Sequence, residues 1–170
     1  LDLPFMRQHF FELNRFDLST VQDLSEEFIR DHAQHLDWVE ITGVQDLTEP
    51  FMEEMAQYID WSSVGSIVGL SEAFIRRHMH QLDMYGVCMY QTLSLDFVDE
   101  FQSSIEWDGL ACNETLDPEV AGKYSQYLPP SLIVQEAINR FHQRQFATHL
   151  LGQRANLPNV DATMMVACYL

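Results

Sequence analysis

The sequence predicts an all-α protein: a short helical-repeat solenoid of five to six 23-residue units, each a long helix, a turn and a short helix, followed by a C-terminal capping helix. Three observations carry this. Apolar side chains return every 23 residues without insertion, and each unit brings its own pair of helix-start residues. The spacing then decays at SLIVQEAINRFHQRQFATHLLGQ, where apolar residues fall at helical intervals instead.

Units start at Leu1, Leu24, Leu47, Leu70, Leu93 and Leu116. The fifth position reads Phe5, Phe28, Phe51, Phe74, Phe97 and Val120, and the sixth reads Met6, Ile29, Met52, Ile75, Val98 and Ala121. The thirteenth reads Leu13, Leu36, Ile59, Leu82, Ile105 and Leu128; the eighteenth reads Leu18, Ile41, Val64, Val87, Leu110 and Ile133. These columns are the expected core. One unit cannot bury both its helices alone, but stacking hides the columns between neighbours, and each fully buried phenylalanine is worth roughly 1.5–3 kcal/mol.

The second position holds Asp2, Ser25, Thr48, Ser71, Ser94 or Asp117, side chains that accept from the free N–H groups of a helix start. Pro4, Pro50 and Pro118 fall in the first turn, where a missing N–H is harmless, and Glu26, Glu27, Glu49 and Glu72 sit where the helix dipole favours negative charge. The periodicity extends this first helix over about eleven positions. At the fourteenth position Asn14, Asp37, Asp60, Asp83 or Glu106 would cap a shorter second helix, with Asp37 and Glu40 at capping-box spacing. Trp38, Trp61 and Trp107 open it, and Gly43, Gly65, Gly69, Gly86 and Gly109 suit a tight return of the chain.

The sixth unit puts Pro129 and Pro130 where the tryptophan stood. Ile133, Ile138, Phe141, Phe146 and Leu150 then space a longer amphipathic helix, which Gly152 ends, and DATMMVACYL is apolar enough to pack on the body or on a partner. Two segments follow: residues 1–128, an acidic helical repeat array, and residues 129–170, a capping helix with an apolar tail. The opening LDLPFMRQHFFEL lacks the basic flank and apolar centre of a secretory signal, and no run is long enough to span a membrane.

At LSEEFIRDHAQHLDW, LTEPFMEEMAQYIDW and LSEAFIRRHMHQLDM, the chain resembles the short repeats of tailed bacteriophages and large DNA viruses that open on LSEEFI and carry an aspartate–tryptophan pair. The resemblance covers about residues 1–128 and departs most in the first unit, at Asn14 and Arg15. It implies a viral protein acting in the host cytoplasm, and it supplies no catalytic motif.

No GxSxG, HExxH, paired CxxC or phosphate-binding glycine loop occurs. His32 and His35 lie near Asp31, and His78 lies near His80, but neither pair has a third ligand in reach of the pattern; the ninth position, His9, His32, Met55, His78, Phe101 and Tyr124, reads as packing. His142 and His149 on the capping helix read the same way. Cys88, Cys112 and Cys168 read as buried free thiols. The Trp and Phe columns read as core rather than as a stacking platform for bases. The sequence therefore predicts no enzyme, no cofactor and no metal site.

The formal net charge is −17, from 26 acids and 9 bases, and residues 1–115 carry all of it, with 22 acids against 5 bases. Such a surface repels nucleic acid and favours basic partners. One reading is a solvated face that keeps the repeats soluble. The other is a rail of carboxylates that a basic, nucleic-acid-binding surface accepts in place of phosphates. The third unit (Glu49, Glu53, Glu54, Asp60) and the fifth (Asp96, Asp99, Glu100, Glu106, Asp108, Glu114) contain no Lys or Arg, which favours the second reading. The leading expectation is a non-enzymatic protein that occludes a basic host protein by nucleic-acid mimicry. A structural protein that oligomerises through its C-terminal segment is the alternative, and a metal-dependent enzyme using the histidines is the third.

Overall fold

The hydroxyls of Ser25, Thr48, Ser71 and Ser94 each accept from the N–H of the phenylalanine three residues on, at 3.1–3.3 Å, so that four first helices start where the sequence marks them. Asp37, Asp60 and Asp83 cap the second helices from the fourteenth position. The computed structural model describes the backbone of residues 3–10, 12–21 and 23–154, and the side chains of residues 4–10, 12–20 and 23–149. The described residues are all-α. They form α1 (Leu3–His9), α2 (Arg15–Val21), α3 (Glu26–Asp31), α4 (Trp38–Val44), α5 (Glu49–Glu54), α6 (Trp61–Val64), α7 (Glu72–His78), α8 (Met84–Tyr90), α9 (Leu95–Glu100), α10 (Trp107–Ala111), α11 (Pro118–Lys123) and α12 (Leu132–Arg154).

The first helix of each unit is shorter than the periodicity implies, six or seven residues instead of eleven. His32, Met55, Phe101 and Tyr124 close theirs with ψ of 14–24°, in the bridge region. One tight turn follows, in which the twelfth N–H donates to the ninth carbonyl: His35 to His32, Tyr58 to Met55, Gln81 to His78, Ser104 to Phe101 and Tyr127 to Tyr124, at 2.8–2.9 Å. Apolar residues at positions five, six, nine and thirteen fit a continuous helix and a helix plus a three-residue turn equally well. The pattern alone could not separate them.

The columns form the core. Phe28, Phe51, Phe74 and Phe97 are at most 2% exposed, and Met6, Ile29, Met52, Ile75, Val98 and Ala121 are buried beside them. Phe5 of the first unit is the exception at 44% exposed; Phe10, at 2%, packs against Phe28 and the ring of His32 in its place. Each tryptophan is half-buried and stacks on the next unit: Trp38 on Tyr58, Trp61 on His78 and Trp107 on Tyr127, with ring centroids 4.5–5.1 Å apart.

Second helices pack on one another, α2 on α4, α4 on α6 and α8 on α10. Glycine is needed there mainly for proximity: a Cβ on Gly65 would sit 2.7 Å from the Asp83 carbonyl oxygen, and one on Gly109 would sit 2.8 Å from that of Tyr85. Only Gly69, among the described residues, takes the left-handed conformation, at φ 94°. The capping box expected at Asp37 is not formed. Asp37 N–H donates to Ser19 Oγ of the preceding unit, and Asp60 N–H to Thr42 Oγ1 in the same way, so Glu40 has no donor to reach back for.

The helix α12 covers the last unit with its N-terminal half. Val134 and Ala137 are buried, and Phe141 lies directly over Gly122 of α11. Past Phe141 the described side chains are exposed, including Phe146 at 53%. The helix continues through Gly152 to Arg154, so this glycine does not end it as expected; the side chain of Leu150, and the segment DATMMVACYL with Cys168, lie outside the described side chains.

Candidate functional site

The carboxylates chosen from sequence fall into two groups. On the first helices, the seventh residue of one unit meets the eighth residue of the next in an unbroken series of ion pairs. Arg7 pairs with Asp31 (3.3 Å), Arg30 with Glu54 (2.6 Å), Glu53 with Arg77, Arg76 with Glu100 (2.9 Å) and Asp99 with Lys123 (2.6 Å). The acid comes from the earlier unit in the Glu53–Arg77 and Asp99–Lys123 pairs, and the base does in the other three. Arg30 also lies over the Phe51 ring and Arg76 over that of Phe97. The absence of bases in the third and fifth units thus has a local cause: Glu53, Glu54, Asp99 and Glu100 take their bases from the units on either side.

Electrostatics follow this geometry. The bidentate guanidinium of Arg30 lowers the Glu54 carboxyl below its ordinary value, and the Lys123 ammonium, aided by the Tyr124 hydroxyl, does the same to Asp99. Asp60 is lowered by the hydroxyls of Ser62 and Ser63, both donating at 2.6 Å, as befits a helix cap. Glu49 is likewise occupied, accepting from the N–H and hydroxyl of Ser71 at 2.5 and 2.9 Å. Glu26 does this for Thr48, and Glu72 accepts from the Ser94 N–H.

Six of the ten carboxylates, Glu49, Glu53, Glu54, Asp60, Asp99 and Glu100, are therefore bonded within the chain. The carboxylates of Asp96, Glu106, Asp108 and Glu114 are exposed and make no hydrogen bond or ion pair among the described residues, although Asp96 lies near enough to Lys123 to help raise its ammonium; Glu106 stands at a cap position without capping. All four belong to the fifth unit. From Leu24 to Leu128 the basic side chains are Arg30, Arg76, Arg77 and Lys123, and every one is engaged in the ion-pair series. None is left to neutralise Glu40 and Asp108 on the second helices, or Asp46 and Glu114 just beyond them.

Other candidates resolve into packing. His32 stacks on Phe28, with Nδ1 2.9 Å from the Phe28 carbonyl, and His78 stacks on Trp61 with Nε2 3.5 Å from Glu53. Among the described residues no three His, Cys, Asp or Glu side chains converge in a metal-binding group. Cys88 is buried, and burial pushes its thiol up to about 11. Cys112 is exposed, against expectation, because it follows the C-terminus of α10 on the solvent side. No described helix is long and apolar enough to cross a membrane.

Sequence reasoning missed the buried amides. Gln91, 1% exposed, donates to the carbonyls of Gly65 and Ile67 and accepts from Gly69 and Leu70; Gln45 bridges Ser19 and Leu24; Asn113 donates to Cys88 and Gln91. The signal was an amide side chain near the end of the second, fourth and fifth units, at Gln45, Gln91 and Asn113. Comparison with protein-family models, curated proteins and solved structures finds no match to this chain.

Proposed function

We propose that the chain is a non-enzymatic interaction protein, a viral solenoid of 23-residue units whose acidic fifth unit binds a basic, nucleic-acid-binding surface of a host protein and occludes it. The observation that carries this is the set Asp96, Glu106, Asp108 and Glu114, exposed and with no hydrogen bond or ion pair among the described residues, while the bases from Leu24 to Leu128 are paired with other carboxylates. Carboxylates with no base bonded to them present their charge to a cationic surface. The recurrence of caps, ion pairs and amide bonds between successive units supports the solenoid reading.

The test is a variant in which Asp108 and Glu114 become lysine. Asp96, Asp99 and Glu100 are unsuitable, since their reversal would also set like charges against Lys123 and Arg76. Partners captured from host lysate by the parent at low salt, and released as salt rises, should be lost by this variant at unchanged circular dichroism. Equal capture by both proteins, or capture indifferent to salt, overturns the proposal.

A further inference from the structure

The stripe by which α12 covers the last unit changes character where the helix leaves the body. Val134 and Ala137 are buried, and Phe141 lies over Gly122. At helical spacing the same line continues through Arg144 and Thr148, with Arg140 one turn before Arg144. From His142 to His149 every side chain is exposed, while the helix runs on to Arg154. About two turns thus project without burial, although packing supplies most helical stability in proteins. Their charge is opposite to that of the repeats. Between Ala137 and Val160 stand Arg140, Arg144 and Arg154 and no Asp or Glu, in a chain of formal net charge −17. Arg140 and Arg144 make no ion pair among the described residues, whereas Arg30, Arg76, Arg77 and Lys123 each do.

We propose that the projecting part of α12 docks, through Arg140 and Arg144, on the acidic fifth unit of a second copy of this chain, with Asp108 and Glu114 as acceptors. The complement is charge. Two guanidiniums without internal partners, one turn apart on one side of a helix, face carboxylates that no base of their own chain bonds. Nucleic acid would meet the same guanidiniums together with the field of the repeats, which repels it. Both surfaces lie at the same end of the chain: α12 packs on α11, and α11 on α9 of the fifth unit. Each of two copies can therefore offer its helix to the other, and the contact closes as a pair instead of a filament. Exposed ion pairs are individually weak, so the pairing belongs to low salt and high protein concentration. It needs no host protein, and purified chain alone reads it, so it stands or falls separately from the host contact proposed for the same carboxylates.

The experiment is analytical ultracentrifugation of the purified full chain up to millimolar concentration. The parent should pass from monomer to dimer at low salt and be monomeric in about 1 M sodium chloride, where the Debye length is about 3 Å. Two charge-reversed variants, Arg140→Glu with Arg144→Glu and Asp108→Lys with Glu114→Lys, should each be monomeric at unchanged circular dichroism. Mixed in equal amounts they should pair again, because each helix then meets a surface of opposite sign. The neutral variant Arg140→Gln with Arg144→Gln keeps the helix formers in place and should weaken the parent's pairing even where a reversal unfolds the chain. A parent that stays monomeric at low salt, a folded variant that pairs as well as the parent, or a mixture of folded variants that stays monomeric overturns the proposal.

Discussion

Glu26, Glu49 and Glu72 show what a residue's sequence position reveals and what it hides. Placed in the first helical turn, they read as partners of the helix dipole, yet each reaches across to the cap residue of the next unit. The sign was present in the sequence: the acid stands at the third position where the next unit opens on Thr48, Ser71 or Ser94, and is replaced by Leu95 before Asp117, whose carboxylate would repel it. The buried amides were less legible, because a Gln in a loop is ordinarily solvated and only the packed structure reveals the carbonyls above it. Gln91→Leu removes one side chain and strands two N–H and two C=O groups, so stability to urea should fall by about 2–4 kcal/mol. A second residue-scale expectation concerns pH. The Glu54 carboxyl is held below its ordinary 4.5 by Arg30. A lowered folded-state value stabilises the fold above the unfolded value and ceases to do so as pH falls through the folded one. The stability gap between the parent and Glu54→Gln, measured by urea titration, should therefore be present at neutral pH and close progressively below about 4.5.

At the scale of elements, helix starts were legible and helix ends were not. A cap is one side chain with one acceptor, visible in sequence; the end of each first helix depends on ψ at the ninth residue, which a bulky His, Met, Phe or Tyr reports only loosely. The capping helix was found from its spacing, but its depth of engagement was not, since Phe141 and Phe146 look alike in sequence, yet Phe141 lies over Gly122 whereas Phe146 is 53% exposed. That contact turns on one glycine. A Cβ on Gly122 would fall 2.4 Å from the Phe141 ring, so Gly122→Ala must displace the ring or the helix. It should cost about 1–3 kcal/mol of stability. Phe141→Ala in the same chain should recover part of the loss, giving a coupling energy in a double-mutant cycle that two independent sites would not show.

At the scale of the molecule, the apolar columns are nearly interchangeable between units and do not specify their order; the ion pairs do. Reading the seventh and eighth positions together gives Arg30 and Asp31, Glu53 and Glu54, Arg76 and Arg77, and Asp99 and Glu100, so the third and fifth units are equivalent in charge and the fourth is their complement. Exchanging the third and fifth units would leave every pair opposite in sign: Arg30 with Glu100, Asp99 with Arg77, Arg76 with Glu54 and Glu53 with Lys123. Exchanging the third and fourth would set Arg30 against Arg77 and Glu53 against Glu100. Both rearrangements disturb the close glycine contacts, so both should be less stable than the parent. They should differ in salt. Like charges on an exposed surface repel less as the Debye length falls from about 10 Å at 0.1 M to about 3 Å at 1 M. Sodium chloride should therefore raise the melting temperature of the third–fourth exchange relative to that of the third–fifth exchange. A parallel response of the two would assign unit order to the amide and glycine contacts instead.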